Sequence, residues 1–291
     1  MLDAQGLCCP LDGSLLVNKE RSLLCQQGHS FDVAKQGYCH LLPVQHKRSS
    51  DPGDSKEMVA ARSALLTNGH YQPLANALAD VIQQHVEQSG EEIMRLADAG
   101  CGDGYYLQQV AQACSPERAE YIGYDISKWA VLAASKRYKN ARWLVASSKN
   151  IPITNDYLNI LLCMFGFPVY SEFKRVLKPG GQLLLVDAGP NHLIELRQKL
   201  YQDIKPHRPW SAEQAQTQGF ELVGQMLPVQ FKICLPQDQL QQLLLMTPHF
   251  FRSSQQAKDE LSTLAELTLT IDAQIRVLQL QGNGESCNVC C

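Results

Sequence analysis

The run Leu96-Ala97-Asp98-Ala99-Gly100-Cys101-Gly102-Asp103-Gly104-Tyr105 has the composition of a backbone that must approach a ligand closely. Glycine has no Cβ, so it reaches positive φ and exposes its main chain. The spacing is Gly-x-Gly-x-Gly, not the Gly-x-Gly-x-x-Gly of dinucleotide sites. An acid, Asp98, stands just before the first glycine. A carboxylate there would repel a pyrophosphate but attract the ammonium and sulfonium of S-adenosylmethionine. A second acid, Asp125, ends the next apolar run, at the distance where a carboxylate accepts hydrogen bonds from ribose hydroxyls. Ala146-Ser147-Ser148 follows a third run, where an adenine edge would lie. The candidate cofactor residues from this pattern are Asp98, Gly100, Gly102, Asp103, Gly104 and Asp125.

A second group lies near the N-terminus: Cys8-Cys9-Pro10-Leu11-Asp12, then Cys25-Gln26-Gln27-Gly28-His29. A knuckle, a loop and then Cys-x3-His is how a small module holds tetrahedral zinc. So little apolar sequence surrounds it that the metal would supply much of the folding energy. A standard knuckle has cysteine where Asp12 stands, and three arrangements are open. Asp12 is an oxygen ligand in a mixed site, Cys8 swings in beside Cys9, or packing alone holds the module. Cys39 reads as a core thiol and His40 as a surface residue.

These groups need elements to place them. Helices are expected over 58–69, 74–88, 106–114, 127–138 and 170–177, and strands over 93–99, 119–126, 142–147, 157–165 and 182–188, from apolar periodicity and Gly/Pro punctuation. Such alternation predicts an α/β fold: a parallel sheet covered on both faces, with ligands at the C-terminal strand edge. The expected organisation is a zinc-binding-like module over 1–40, a linker over 41–58 and an α/β domain over 59–291. With 291 residues and 45% hydrophobic content, the chain can bury one full-sized α/β core plus a small module. The net charge of −3 argues against a protein that coats nucleic acid broadly, so any RNA contact must be a local patch. No run approaches the roughly 20 apolar residues of a membrane span. Residues Met1 to Leu7 lack the pattern of a signal peptide, which suggests a cytoplasmic protein. In a reducing compartment the 11 cysteines read as metal ligands or core thiols before disulfides.

The glycine turn, Asp98, Asp125 and the Lys178-Pro179-Gly180-Gly181 turn together resemble the class I Rossmann-like methyltransferases over about residues 90–190. Over about residues 8–275 the chain resembles a narrower family, the bacterial 23S rRNA guanine-N1 methyltransferases of the RlmA type. The residues that carry this are Cys9 with Cys25-x3-His29, the segments 29–38 and 41–55, Gly69-His70-Tyr71-Gln72-Pro73-Leu74, the glycine turn, Gly189-Pro190-Asn191-His192-Leu193-Ile194-Glu195-Leu196, and Met246-Thr247-Pro248. The resemblance implies methylation of N1 of one guanine in a 23S rRNA hairpin by a homodimer whose zinc modules help form the RNA cleft. It implies cofactor contacts from Tyr71 and His192, and zinc ligands Cys9, Cys25 and His29, with Asp12 standing where the fourth cysteine belongs. The stretch Cys163-Met164-Phe165-Gly166-Phe167-Pro168-Val169 departs from the family's pattern, so no substrate contact is carried over there.

Transfer to N1 needs somewhere for its proton to go. Asp187, at the end of the last expected strand, is a candidate base; the simpler reading is that it caps the loop at Gly189-Pro190. Candidate RNA contacts are His46-Lys47-Arg48, Lys56 and Lys205-Pro206-His207-Arg208-Pro209-Trp210, with Trp210 able to stack on a base. Two other functions fit the same residues: a methyltransferase of this fold acting on a small molecule or protein, and a non-catalytic RNA-binding relative.

Overall fold

The computed structural model describes residues 2–46, 49, 51–114, 118–247 and 253–282. Strands β1 (Leu16–Lys19), β2 (Ser22–Cys25) and β3 (Ser30–Asp32) form a small antiparallel sheet. Strand β4 (Tyr38–His40) leaves that sheet and pairs in parallel with β7 (Arg142–Val145) of the large one. The large sheet is centred on β5 (Met94–Ala99), with β6 (Ala119–Asp125) and then β7 on one side. On the other side lie β8 (Leu158–Met164) and β9 (Leu177–Ala188). The chain therefore leaves β5 in one direction and returns in the other, and ligands bind in the crevice at such a switch point.

The helices follow from caps and periodicity. Helix α1 (Lys56–Thr67) starts where the Ser55 hydroxyl accepts from Met58 N. Helix α2 (Gln72–Gln88) has proline in its first turn and buries Leu74, Ala75, Leu78, Ala79, Ile82 and Val86 along one face, a helical repeat. Helix α3 (Tyr105–Ala113) opens directly from the glycine turn, and α4 (Lys128–Arg137) is capped by Ser127. Helix α5 (Tyr170–Val176) leads straight into β9, so Lys178-Pro179-Gly180-Gly181 stops the helix and lies inside the long strand.

The expectation of a parallel sheet holds for β4 to β9 and fails beyond. Past β9 come α6 (Ile194–Leu200), α7 (Glu213–Thr217), β10 (Phe220–Leu222), β11 (Leu227–Pro236), α8 (Gln237–Leu245) and α9 (Gln255–Ser262). The last element is β12 (Glu266–Leu280). Strand β12 runs antiparallel to β9, and both β10 and β11 pair antiparallel with β12, so the sheet is mixed.

The N-terminal module packs directly on the large sheet. Leu7, Cys9, Leu16, Leu23, Cys25, Cys39 and Leu41 share one apolar cluster with Ala97, Ile122, Leu144 and Leu161 of the large sheet and with Ile153 of the segment after β7. The N-terminal module has little core of its own because it covers one face of that sheet. Gly6 has φ +71° and its Cα lies against the Tyr157 ring, where a Cβ would come within 2.2 Å. Cys8 N donates to Pro152 O and Asn150 Nδ2 to Pro10 O, which tie the knuckle to the loop after β7. Among the described residues no helix is long and apolar enough to cross a membrane.

Candidate functional site

A cavity of about 570 Å³ opens at the C-terminal edge of the sheet. Its walls include Tyr71, Asp98, Gly100, Gly102, Asp103 and His192, so residues separated by more than a hundred positions meet here. Asp187 lies on the same wall. Gly100, Gly102 and Gly104 all have positive φ, between +55° and +77°. A Cβ on Gly104 would press within 2.6 Å of the Trp143 indole, whereas one on Gly100 would meet nothing within 4 Å. The first glycine thus faces open space, and the last is required by packing.

Asp98 is 1% exposed, and its Oδ1 has no hydrogen-bond partner among the described residues. Burial, with the nearby charges of Asp125 and Asp103, pushes its pKa up to about 7. A buried carboxylate oxygen without a partner is costly unless a cation arrives. The ammonium of S-adenosylmethionine has the charge and the donors to satisfy it, so the cofactor suits these residues. Asp125 accepts from Gly102 N at 3.0 Å and from Ser127 N at 2.8 Å. It therefore fixes the glycine turn, and its remaining lone pairs are free to accept from hydroxyls. Burial raises its pKa as well.

Asp103 is placed differently. Its carboxylate is paired with the Arg137 guanidinium at 2.5 Å and is 2% exposed, so it braces the turn against α4. Tyr71 is buried at the start of α2. His192 Nδ1 lies 3.0 Å from the main-chain oxygen of Asp272, and its ring packs against Phe165 with centroids 5.6 Å apart.

Asp187 does not cap the Gly189-Pro190 loop. Asp272 does: its main-chain oxygen accepts from Gly189 N, and its carboxylate accepts from Asn191 N at 2.9 Å. Asp187 pairs instead with Arg276 at 3.1 Å, and burial raises its pKa against the opposing pull of Arg276 and His207. Trp210 does not offer an open ring for stacking. Its Nε1 donates to the Tyr170 hydroxyl at 3.1 Å, and the Arg276 guanidinium covers its face at 5.1 Å. Neither Asp272 nor Arg276 was marked by any local pattern in the sequence. Lys47 and Arg48 lie outside the described residues. Lys56 sits over the Trp129 ring, and Lys205, His207 and Arg208 are exposed. His40 is half-buried rather than a surface residue, while Cys39 is fully buried.

The N-terminal ligands converge. One donor atom from each of Cys9, Asp12, Cys25 and His29 lies within 4.8 Å of every other. His29 Nδ1 is 3.5 Å from Cys9 Sγ, 3.3 Å from Cys25 Sγ and 2.8 Å from Asp12 Oδ2. Tetrahedral zinc with ordinary bond lengths separates sulfur from nitrogen by about 3.5 Å. The other Asp12 oxygen accepts from Ser14 N and Oγ, which holds the carboxylate well below the usual range and turns Oδ2 toward the cluster. Of the two side chains considered for the fourth position, Asp12 rather than Cys8 converges with Cys9, Cys25 and His29, and these four could hold a metal ion. Cys8 is outside the cluster, and its buried thiol is pushed up to about 11.

A Rossmann-like sheet with an acid and a glycine turn at its switch point, preceded by a ribbon of metal ligands, defines a class I S-adenosylmethionine-dependent methyltransferase with an N-terminal zinc ribbon. The family model of a methyltransferase domain matches residues 96–181, and that of the RlmA N-terminal zinc ribbon matches residues 7–50. The chain is 34% identical over 264 residues to the 23S rRNA (guanine(748)-N(1))-methyltransferase of Streptomyces fradiae, covering 90% of each chain. It is 33% identical over 278 residues to the provisionally named 23S rRNA (guanine-N(1)-)-methyltransferase YxjB of Bacillus subtilis (strain 168), covering 92% of this chain and 95% of that one. Among solved structures, a SAM-dependent methyltransferase from Aquifex aeolicus is 16% identical with a TM-score of 0.42, covering 69% of this chain and 89% of that one. The chain belongs to the family of 23S rRNA (guanine-N1)-methyltransferases.

Proposed function

We propose that the protein methylates N1 of a guanine in 23S rRNA. The observation that carries this is the buried Asp98 oxygen, without a hydrogen-bond partner among the described residues, in a cavity that also holds Asp187. It sits in a chain related along nearly its whole length to guanine-N1 methyltransferases. S-adenosylmethionine supplies an electrophilic methyl group on a sulfonium. Asp98 holds the ammonium of that cofactor, the main chain of the glycine turn approaches it, and Asp125 accepts from the ribose. Tyr71 and His192 close the walls.

Guanine N1 carries a proton and is a weak nucleophile at neutral pH, so the base must leave its stack and align. As N1 takes the methyl group its proton leaves, and Asp187 is the candidate acceptor. Asp187 stands at the C-terminal end of β9, on the cavity wall, and burial has already raised its proton affinity. Arg276 holds it in place. Cys9, Asp12, Cys25 and His29 bind a structural zinc ion. In this reading the enzyme works in the cytoplasm as a homodimer, and Lys47 and Arg48 meet RNA phosphates.

The test is methyl transfer from labelled S-adenosylmethionine to unmodified 23S rRNA, followed by nucleoside digestion and mass identification. The expected product is 1-methylguanosine. Cofactor binding with no label in RNA would overturn the substrate and favour a small-molecule or protein acceptor.

A further inference from the structure

We infer that Phe167 is the platform on which the extruded guanine stacks during transfer, an inference that rests on the guanine-N1 reading above. The loop 165–169 joins β8 to α5 at the edge of the sheet where the cavity opens, and Phe167 lines that cavity together with Asp98 and Asp187. Phe167 is 95% exposed. A benzyl side chain forgoes its burial there, in a chain whose other phenylalanines described are at most 41% exposed.

The loop is built to hold the ring in that place. Phe165 adopts φ +51°, a left-handed conformation uncommon for a bulky residue. Its N–H is held by Val186 O at 2.7 Å and its ring by His192. Gly166 lies so close to β8 that a Cβ would stand 3.0 Å from Cys163 Sγ. Pro168 restricts the residue before it to extended backbone, so Phe167 has little freedom to fold inward. Phe165 is thus committed to the cavity wall and Phe167 is left facing outward at the cavity mouth.

Methylation at N1 requires the guanine to leave its neighbours in the RNA stack. Aromatic side chains replace the lost stacking in proteins that bind unpaired bases. Phe167 carries no hydrogen-bonding group, so it steadies the base without reading it. Trp210, the aromatic residue that the sequence suggested for this task, has its ring covered by Arg276.

The test compares Phe167→Ala, Phe167→Leu and Phe167→Tyr in the 23S rRNA assay, with S-adenosylmethionine affinity measured by calorimetry. The Ala and Leu variants are expected to lose about tenfold to a hundredfold in kcat/KM for rRNA. Their cofactor affinity should stay at the wild-type value, and the Tyr variant should stay within about twofold of wild type, since it keeps the ring. Wild-type kinetics in the Leu variant, alongside wild-type formation of 1-methylguanosine, would remove this inference alone. A wild-type protein that makes no 1-methylguanosine would remove the reading beneath it as well.

Discussion

A carboxylate buried at the end of a central strand destabilises the fold once it ionises, and Asp98 is such a group. Its pKa of about 7 lies well above the usual carboxylate range, first because of burial and then because Asp125 and Asp103 are close. The folded chain therefore holds this proton more tightly than the unfolded chain does. Its stabilising effect is complete below about pH 4 and is lost as pH rises through about 7. A cationic cofactor prefers the ionised form, so binding has the opposite slope. Affinity for S-adenosylmethionine should be about tenfold weaker at pH 6 than at pH 8, as read by calorimetry. Asp98→Asn should bind more weakly at pH 8 and lose that slope; a variant that keeps the wild-type slope would move the proton elsewhere. Asp98 was legible in the sequence because it precedes the glycine turn, and Asp125 because it ends the next apolar run. Asp272 and Arg276 were not. Their partners, Asn191 and Asp187, lie 81 and 89 positions away, and no local pattern marks such pairs.

Among elements, β5 to β9 and their helices could be read from apolar periodicity and from glycine and proline stops. Strand β12 could not, although Leu267-Thr268-Leu269-Thr270-Ile271 shows alternation and β-branched residues. Its middle carries Asp272, Gln274 and Arg276, which look solvent-facing in sequence. The first and last are buried against the Gly189–Asn191 loop and Asp187. All four residues of the ribbon's cluster were named from the sequence, Asp12 as one of three alternatives, and the Ser14 hydrogen bonds explain how Asp12 points inward. A carboxylate is a harder ligand than thiolate and suits zinc less well. Asp12→Cys should therefore raise zinc affinity by at least about tenfold, measured by competition with a chromogenic chelator, while Asp12→Ala should lower it. Equal affinity in all three proteins would mean that Asp12 is not a ligand.

For the whole molecule, two physical consequences follow from how charge and core are distributed. A chain of net charge −3 binds RNA only through local patches, so few phosphate contacts dominate its salt response. Replacing Lys47 and Arg48 by alanine should weaken rRNA binding and reduce the slope of log affinity against log salt by about 2. An unchanged slope in filter binding across a salt series would exclude both residues. The second consequence concerns the ribbon. It does not fold beside the sheet but onto it: β4 is a strand of the large sheet, and Leu7, Leu23 and Cys25 share a core with Leu161 and Ile153. Removing zinc therefore strips support from one face of the methyltransferase sheet, and a ligand that binds only the folded state stabilises all that folds with it. Calorimetric melting should show one transition in the zinc-bound protein, moved to lower temperature as a whole by a chelator. Two transitions, with only the first sensitive to chelator, would mean that the ribbon is an independent unit and that the shared cluster contributes little to holding the two together.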